Sequence, residues 1–309
     1  MTKPFFFLID FEQQKPQIIP LNEAAKCGVF FDILGNTNVD WQCDLPTALF
    51  YLQKNPMPYE QYRQGFKIVQ QNLHFGNTYL LNLTYPTPIS TNYNLQQIFQ
   101  KTTAPYKLLF KNEFVCFSPE CFVKMTGNHI YTYPMKGTID ADLPNAYEQL
   151  INSTKEQWEH NTIVDLMRND LAMTAKNIEV TKFRYIDKIN TENGSILQTS
   201  SEIRGELPEN WRNDPLSFIL PLLPAGSISG APKEKTVQII RQAEQQARGY
   251  YSGIFGIFDG ENLYSAVAIR YIEQTAQGLQ FRSGGGITAQ SQCEAEYQEL
   301  LQKVYVPII

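Results

Sequence analysis

The chain is poor in the residues that metal, redox and extracellular chemistry need. Its three histidines, His74, His129 and His160, are scattered along 309 residues, which argues against a histidine-rich zinc or non-haem iron centre. Five cysteines (Cys27, Cys43, Cys116, Cys121, Cys293) form neither a C-x-x-C pair nor a disulfide framework, a pattern that fits a reducing compartment. No apolar run reaches membrane-span length. The stretch Phe5-Phe6-Phe7-Leu8-Ile9 is too short for a signal segment and ends in Asp10. The expectation is a cytoplasmic protein without a membrane partner. Basic runs are missing and the net charge is −5, which argues against nucleic acid. No Walker A or dinucleotide fingerprint occurs either, which argues against ATP or NAD. An acidic chain can still bind an anion, provided positive charge is supplied locally.

What is there belongs to an ordinary soluble globular protein, 43% hydrophobic and 18% charged. The length suffices for a large core or two small domains. Periodicity predicts strands at 5–10, 28–34 and 78–84 around a helix at 58–74, then strands at 106–111, 114–117, 121–126 and 129–133. A helical block follows at 144–172, with strands at 177–186 and 196–206. Helices at 213–220 and 232–247 precede strands at 251–258, 263–272 and 278–283, and a last helix covers 292–304. Strands and helices come in runs and not in strict alternation, so the expected class is α+β with mostly antiparallel sheet. No repeat or long linker divides the chain. A single packed domain over 1–309 is expected, with about 1–55 forming a strand region against it.

Four segments carry chemistry. Pro134-Met135-Lys136-Gly137-Thr138 sets a lysine in a stiff Pro/Gly-bounded turn; such a lysine is either a solvated cation or, once desolvated, a nucleophile. Between Lys155 and Met167, helical spacing puts Glu156, Glu159, Ile163 and Met167 on one stripe beside Val164. Two acids on an inward face are either ion-paired with neighbouring Lys or Arg, or they form an oxygen-ligand site suited to Mg²⁺. Gly226–Lys233 and Ser283–Gly286 precede helices and read as tight turns or as anion cradles. The second is followed by Ser291-x-x-Glu294 at capping-box spacing. Arg270 ends the apolar run from Tyr264, where a guanidinium is a structural salt bridge or a carboxylate clamp.

Taken together these segments resemble the chorismate-utilising enzymes. The likeness covers roughly 60–305 and is densest at Phe117–Glu120, Pro134–Thr138, Glu159–Leu171, Gly226–Lys233, Gly253–Gly256 and Gly284–Glu299. It implies a fold of two large, mostly antiparallel β-sheets in one sandwich flanked by helices. The lysine in Pro134–Thr138 resembles the aminodeoxychorismate synthase branch; anthranilate synthases typically carry a small residue there. That implies Mg²⁺-dependent amination of chorismate at C4, with ammonia from a partner glutamine amidotransferase, toward 4-aminobenzoate and folate. Anthranilate synthase component I and a non-catalytic chorismate-binding subunit are the competing readings.

In family terms Lys136 is the nucleophile and Glu120 the acid. Glu159 and Glu299 match the Mg²⁺ ligands, and Glu156 and Glu296 the supporting carboxylates. Arg270, Gly284 and Gly286 match positions that hold substrate carboxylates, and Thr138, Ser229 and Gly230 further substrate contacts. Helical spacing does not itself turn Glu296 and Glu299 inward, because the apolar side of that helix carries Tyr297, Leu301 and Val304. Cys121, Gln198 and Ile257 stand where many relatives have Arg, His and Tyr. The chain is short for the family, which points away from a tryptophan effector site, while the strands near 5–34 leave room for part of that subdomain. A free lysine of ordinary pKa, about 10.4, is neutral at pH 7 only about once in two to three thousand molecules, so burial beside a cation is expected to tune Lys136 downward.

Overall fold

Two sheets of nine strands each, flanked by helices, make up the architecture, in a computed structural model that describes residues 2–191 and 194–308. The chain divides into two compact units. The first comprises Cys121–Ser227, Phe258–Tyr264 and the first residues; the second comprises Pro4–Glu120, Ile228–Ile257 and Ser265–Ile309. Among the described residues no helix is long and apolar enough to cross a membrane.

In the first unit a long antiparallel hairpin, Lys176–Thr191 against Gly194–Glu206, forms the spine. The other edge of Gly194–Glu206 pairs with His129–Thr132 and then with Met135–Asp140. Cys121–Thr126 continues the ladder beyond His129–Thr132. The helices Ala146–Asn152 and Thr154–Leu171 belong to this unit. Ser153 caps the longer helix, its Oγ accepting from the Glu156 N–H at 3.3 Å. The buried stripe of that helix is His160, Ile163, Val164, Met167, Asp170 and Leu171, the 3.6-residue period of an amphipathic helix.

In the second unit one sheet is complete. It contains Leu80–Thr91, Phe114–Ser118, Tyr271–Thr275 and Gly278–Ile287, with Gly278–Ile287 paired to Leu80–Thr91 on one side and to Tyr271–Thr275 on the other. Every residue of Phe5–Ile9 is buried, as expected of a strand covered on both faces. The helix Leu95–Lys101 starts in a capping box in which Asn94 and Gln97 satisfy each other's backbone. Its Ile98 and Phe99 pack with Leu109, Val115, Phe117 and Phe281. The helix Tyr59–His74 buries Tyr62, Gly65, Phe66, Val69 and Leu73. Gly65 admits no side chain: a Cβ there would lie 1.9 Å from the Tyr85 hydroxyl.

A buried ion pair ties this unit together. Arg248 and Glu244 meet at 2.6 Å with side chains 1% and 0% exposed. The guanidinium also donates to the carbonyls of Ile228 and Asn82, and Glu244 accepts from the backbone and hydroxyl of Thr84. Full satisfaction of both ions is what makes such a pair tolerable in a dry interior.

Several elements differ from expectation. The span 213–220 is not a helix but part of a series of 3₁₀ turns, Trp211–Asn213, Pro215–Phe218 and Leu220–Leu222, because Pro215 and Pro221 cannot supply N–H groups to a longer one. The strand expected at 78–84 runs on to Thr91, carrying Pro86 opposite Arg282 and Pro88 opposite Gln280. The expected strand 263–272 is two strands, Leu263–Val267 and Tyr271–Thr275, with a bend between. The helix Leu95–Lys101 was not legible, being only seven residues long.

Arg248→Met should destabilise the protein by about 3–5 kcal/mol, the usual cost of leaving a buried carboxylate unpaired; urea unfolding followed by tryptophan fluorescence measures it.

Candidate functional site

Met135–Asp140 is an edge strand with an irregularity, and that defect is where Lys136 sits. Met135 opposes Ser200 and Thr138 opposes Gln198, with a register shift between them. The expected Pro/Gly turn is therefore a bulged strand: Gly137 takes φ +89°, which a bulge uses to re-aim a neighbouring side chain. A Cβ on Gly137 would lie 2.7 Å from Glu156 Oε2, so the carboxylate occupies the room a side chain would need. Thr138 is exposed.

The amine of Lys136 lies 3.1 Å from Glu159 Oε2, and Lys155 lies 3.9 Å from the other oxygen. Lys136 is 37% exposed and Glu159 20%, so the pair is half-sheltered. The neighbour that the chain itself supplies to Lys136 is a carboxylate, Glu159, which projects from the same helix face as Glu156.

Behind the bulge lies a buried polar cluster that sequence reasoning missed. His160 Nε2 is 2.7 Å from Ser201 Oγ, and the Thr199 hydroxyl donates to the Lys136 carbonyl. Burial, opposed by a hydrogen bond with the Lys136 backbone and aided by Arg184, lowers the His160 pKa to about 4. A signal was available: His160, Val164, Met167 and Leu171 recur at helical spacing, which turns the imidazole inward.

In the second unit Ser283–Gly286 is neither a turn nor a helix start. Gly284, Gly285 and Gly286 lie inside the strand Gly278–Ile287, opposite Thr84, Leu83 and Asn82. The glycines are needed for approach: a Cβ on Gly284 would meet the Leu83 carbonyl at 2.3 Å, and one on Gly285 would meet Glu299 Oε1 at 3.0 Å and Glu296 Oε2 at 3.5 Å. Both acids of the helix Cys293–Gln302 thus lie over Gly285, although the apolar spacing had not turned them inward. The buried residues are Tyr297 and Leu300, which leaves Glu296 and Glu299 flanking the contact face. Lys303 bonds Glu299 Oε1 at 2.6 Å and the Gly284 carbonyl at 2.9 Å. The capping box also fails, because the N-cap is Gln292 and Ser291 Oγ accepts from Thr288 instead.

Arg270 sits in the bend between strands with φ +53°. Its carbonyl accepts from Phe117 N–H at 3.0 Å, and Cys116 Sγ donates to the preceding Ile269 carbonyl. Burial pushes the Cys116 thiol up, which keeps it a protonated donor. The guanidinium lies 5.3 Å from the Tyr305 ring, its buried Nε lacks a hydrogen-bond partner, and no carboxylate among the described residues pairs with it. A cation so placed suits an anionic ligand better than a structural salt bridge. Glu120 is half-buried, its N–H bonded to Ser118 Oγ and its carbonyl to Val267. Ser229 is buried, and Gly230 comes so close to Leu80 that a Cβ would lie 1.9 Å from its carbonyl, so Gly230 has a packing role whatever else it does.

Two pairs of carboxylates at Glu-x-x-Glu spacing, one pair in each unit, therefore come from helices that lie by strand glycines, Glu156 against Gly137 and both Glu296 and Glu299 against Gly285. Among the described residues no three His, Cys, Asp or Glu side chains are gathered to hold a metal. Mg²⁺ commonly uses one or two protein carboxylates and keeps its waters, so an oxygen-only donor set of this kind fits it.

The fold is that of enzymes acting on chorismate. It matches the menaquinone-specific isochorismate synthase of Escherichia coli with a TM-score of 0.74 at 16% identity, over 97% of this chain and 77% of that one. It matches anthranilate synthase component I of Streptococcus pneumoniae with a TM-score of 0.68 at 22% identity, over 84% and 60%. In sequence, the chain is 64% identical over 306 residues to an uncharacterized PabA-like protein of Pasteurella multocida, covering 99% of this chain and 94% of that protein. It is 33% identical over 265 residues to aminodeoxychorismate synthase component 1 of Escherichia coli, covering 80% of this chain and 57% of that protein. Residues 45–308 match the chorismate binding enzyme family, and the chain belongs to that family.

The depressed His160 value sets a pH dependence. Between pH 6.5 and about 4 the unfolded chain binds the extra proton, so stability is fully present above pH 6.5 and falls as pH drops toward 4. With chelator present, that loss should reach a few kcal/mol in urea titrations, and the wild-type-minus-His160→Asn difference should carry the slope.

Proposed function

We propose that this protein aminates chorismate at C4 to give 4-amino-4-deoxychorismate, using ammonia from a separate glutamine amidotransferase, toward 4-aminobenzoate and folate. The observation that carries the reading is the half-sheltered Lys136 amine, aimed by a strand bulge and paired with Glu159 at 3.1 Å. The 33% identity to a protein named aminodeoxychorismate synthase component 1 supports it. An ammonium held by a carboxylate has no lone pair to give, so Lys136 must lose both that contact and a proton before it can attack.

The free amine then bonds to C2 of the ring, the two ring double bonds shift, and the C4–O bond breaks as Glu120 protonates the departing hydroxyl. Ammonia adds at C4, the double bonds return, and the C2–N bond to Lys136 breaks. Each of the two acid pairs, Glu159 with Glu156 in one unit and Glu299 with Glu296 in the other, is an oxygen-donor set that suits Mg²⁺, which would neutralise carboxylate charge on the substrate. Arg270 takes a substrate carboxylate, with the backbone at Gly284 and Gly286 and the contacts of Thr138, Ser229 and Gly230 completing the grip. The compartment is read as cytoplasmic.

Lys136→Ala should lower C4 amination by orders of magnitude while chorismate still binds, measured by chromatography of products from enzyme, chorismate, Mg²⁺ and an ammonium salt. Anthranilate fluorescence in the same wild-type mixture, without any lyase, would reject C4 amination in favour of anthranilate synthesis. Arg270→Met should raise the KM for chorismate about 10- to 100-fold, the range for losing a charge-assisted hydrogen bond; an unchanged KM would remove Arg270 from the substrate contacts.

A further inference from the structure

The register shift that carries Lys136 interrupts the regular ladder, and a backbone carbonyl in a sheltered place needs donors. Those donors come from side chains that no chemical step uses. The Thr199 hydroxyl donates to the Lys136 oxygen. His160 Nδ1 lies 3.5 Å from Thr199 Oγ1, and its other nitrogen is 2.7 Å from Ser201 Oγ. The Arg184 N–H donates to that same Oγ at 3.0 Å. His160 also hydrogen-bonds the Lys136 backbone; a carbonyl oxygen can only accept, which assigns the imidazole hydrogen to Nδ1, the nitrogen on the side of Thr199, and leaves Nε2 to accept from Ser201 Oγ. His160, Thr199 and Ser201 are all completely or almost completely buried, and the Phe183 ring stands edge-on to the imidazole at 5.8 Å.

We infer that His160 is a positioning residue for Lys136: through Thr199 and Ser201 it clamps the carbonyl of the bulge and so sets the direction in which the Lys136 side chain leaves the strand. The inference rests on the reading of Lys136 as the nucleophile. Glu156 also closes over Gly137, with Thr199 Oγ1 beside it, so the peptide between Lys136 and Gly137 is packed by both side chains. The clamp keeps the amine beside Glu159 and not swinging into solvent. A displacement of about 1 Å at a reacting atom costs on the order of 10²-fold in rate.

The test compares His160→Leu, His160→Asn, His160→Gln and Thr199→Val with wild type, reading kcat and KM for amination of chorismate. It also reads the acetic anhydride labelling rate of Lys136 relative to Lys155 by peptide mass mapping. The asparagine amide nitrogen takes the place of Nδ1, whereas glutamine reaches the place of Nε2. Leucine should lower kcat about 100-fold with KM within about threefold, and asparagine should recover at least about tenfold of that loss while glutamine does not. Wild-type kcat in the leucine variant, or equal kcat in all three variants with unchanged far-UV circular dichroism, would overturn the inference. Should the leucine variant not fold, Thr199→Val, which keeps shape and removes the donor, must show the fall in kcat; wild-type kcat there overturns it as well. If Lys136→Ala proves active, the nucleophile reading fails separately. The positioning role is then decided by labelling: a shifted Lys136 rate in leucine that asparagine restores upholds it, and an unshifted rate overturns it.

Discussion

A carboxylate can lie against the backbone of a β-strand only where that strand gives up a side chain. The same constraint operates in each unit of this protein. Gly137 makes room for Glu156, and Gly285 makes room for Glu296 and Glu299. In each case the acids come from a helix at i, i+3, which places them on one side of it. Each set also meets an amine: Lys136 and Lys155 on Glu159, Lys303 on Glu299. A methyl group at either glycine would push the carboxylates out of place, so the helix acids and the strand glycines form one device.

The scaffold beneath the second device is stiff for a separate reason. Glu244 and Arg248 are buried and satisfied by one another, by Thr84 and by the carbonyls of Asn82 and Ile228. Thr84 and Asn82 are the residues opposite Gly284 and Gly286 in the ladder. The ion pair therefore anchors the strand on which the glycines lean. Removing one member would leave a charge in a dry interior, and this is why so local a contact has reach. Arg270 is the contrasting case. It is held at its backbone by Phe117 and braced at its guanidinium by the Tyr305 ring, with no carboxylate among the described residues to answer it.

Much of the fold was legible, and the failures share a cause. The inward stripe of Thr154–Leu171 followed from period alone, as did most strands of the two sheets. Glycine runs misled, because Ser283–Gly286 has the composition of a turn and yet sits inside a strand; glycine is disfavoured in strands unless something else needs the space. The pattern around Lys136 misled in the same way, a bulge being indistinguishable in sequence from a Pro/Gly turn. Glu296 and Glu299 lie at the margin of a face defined by Tyr297 and Leu300, where apolar spacing is silent. His160 was visible as a buried helical position, but its partners Thr199 and Ser201 lie about forty residues away on another strand, beyond any local pattern.

The sequence alone determined the secondary-structure period of the long elements, the α+β class and the ordered motifs by which the family is recognised, because each of these depends on residues close together in the chain. Tertiary structure alone decided which glycines lie under which carboxylates, what faces Lys136, and that Arg270 meets no acid among the described residues. Those outcomes are set by contacts between segments far apart in sequence, where the space left by one backbone fixes what another side chain can do.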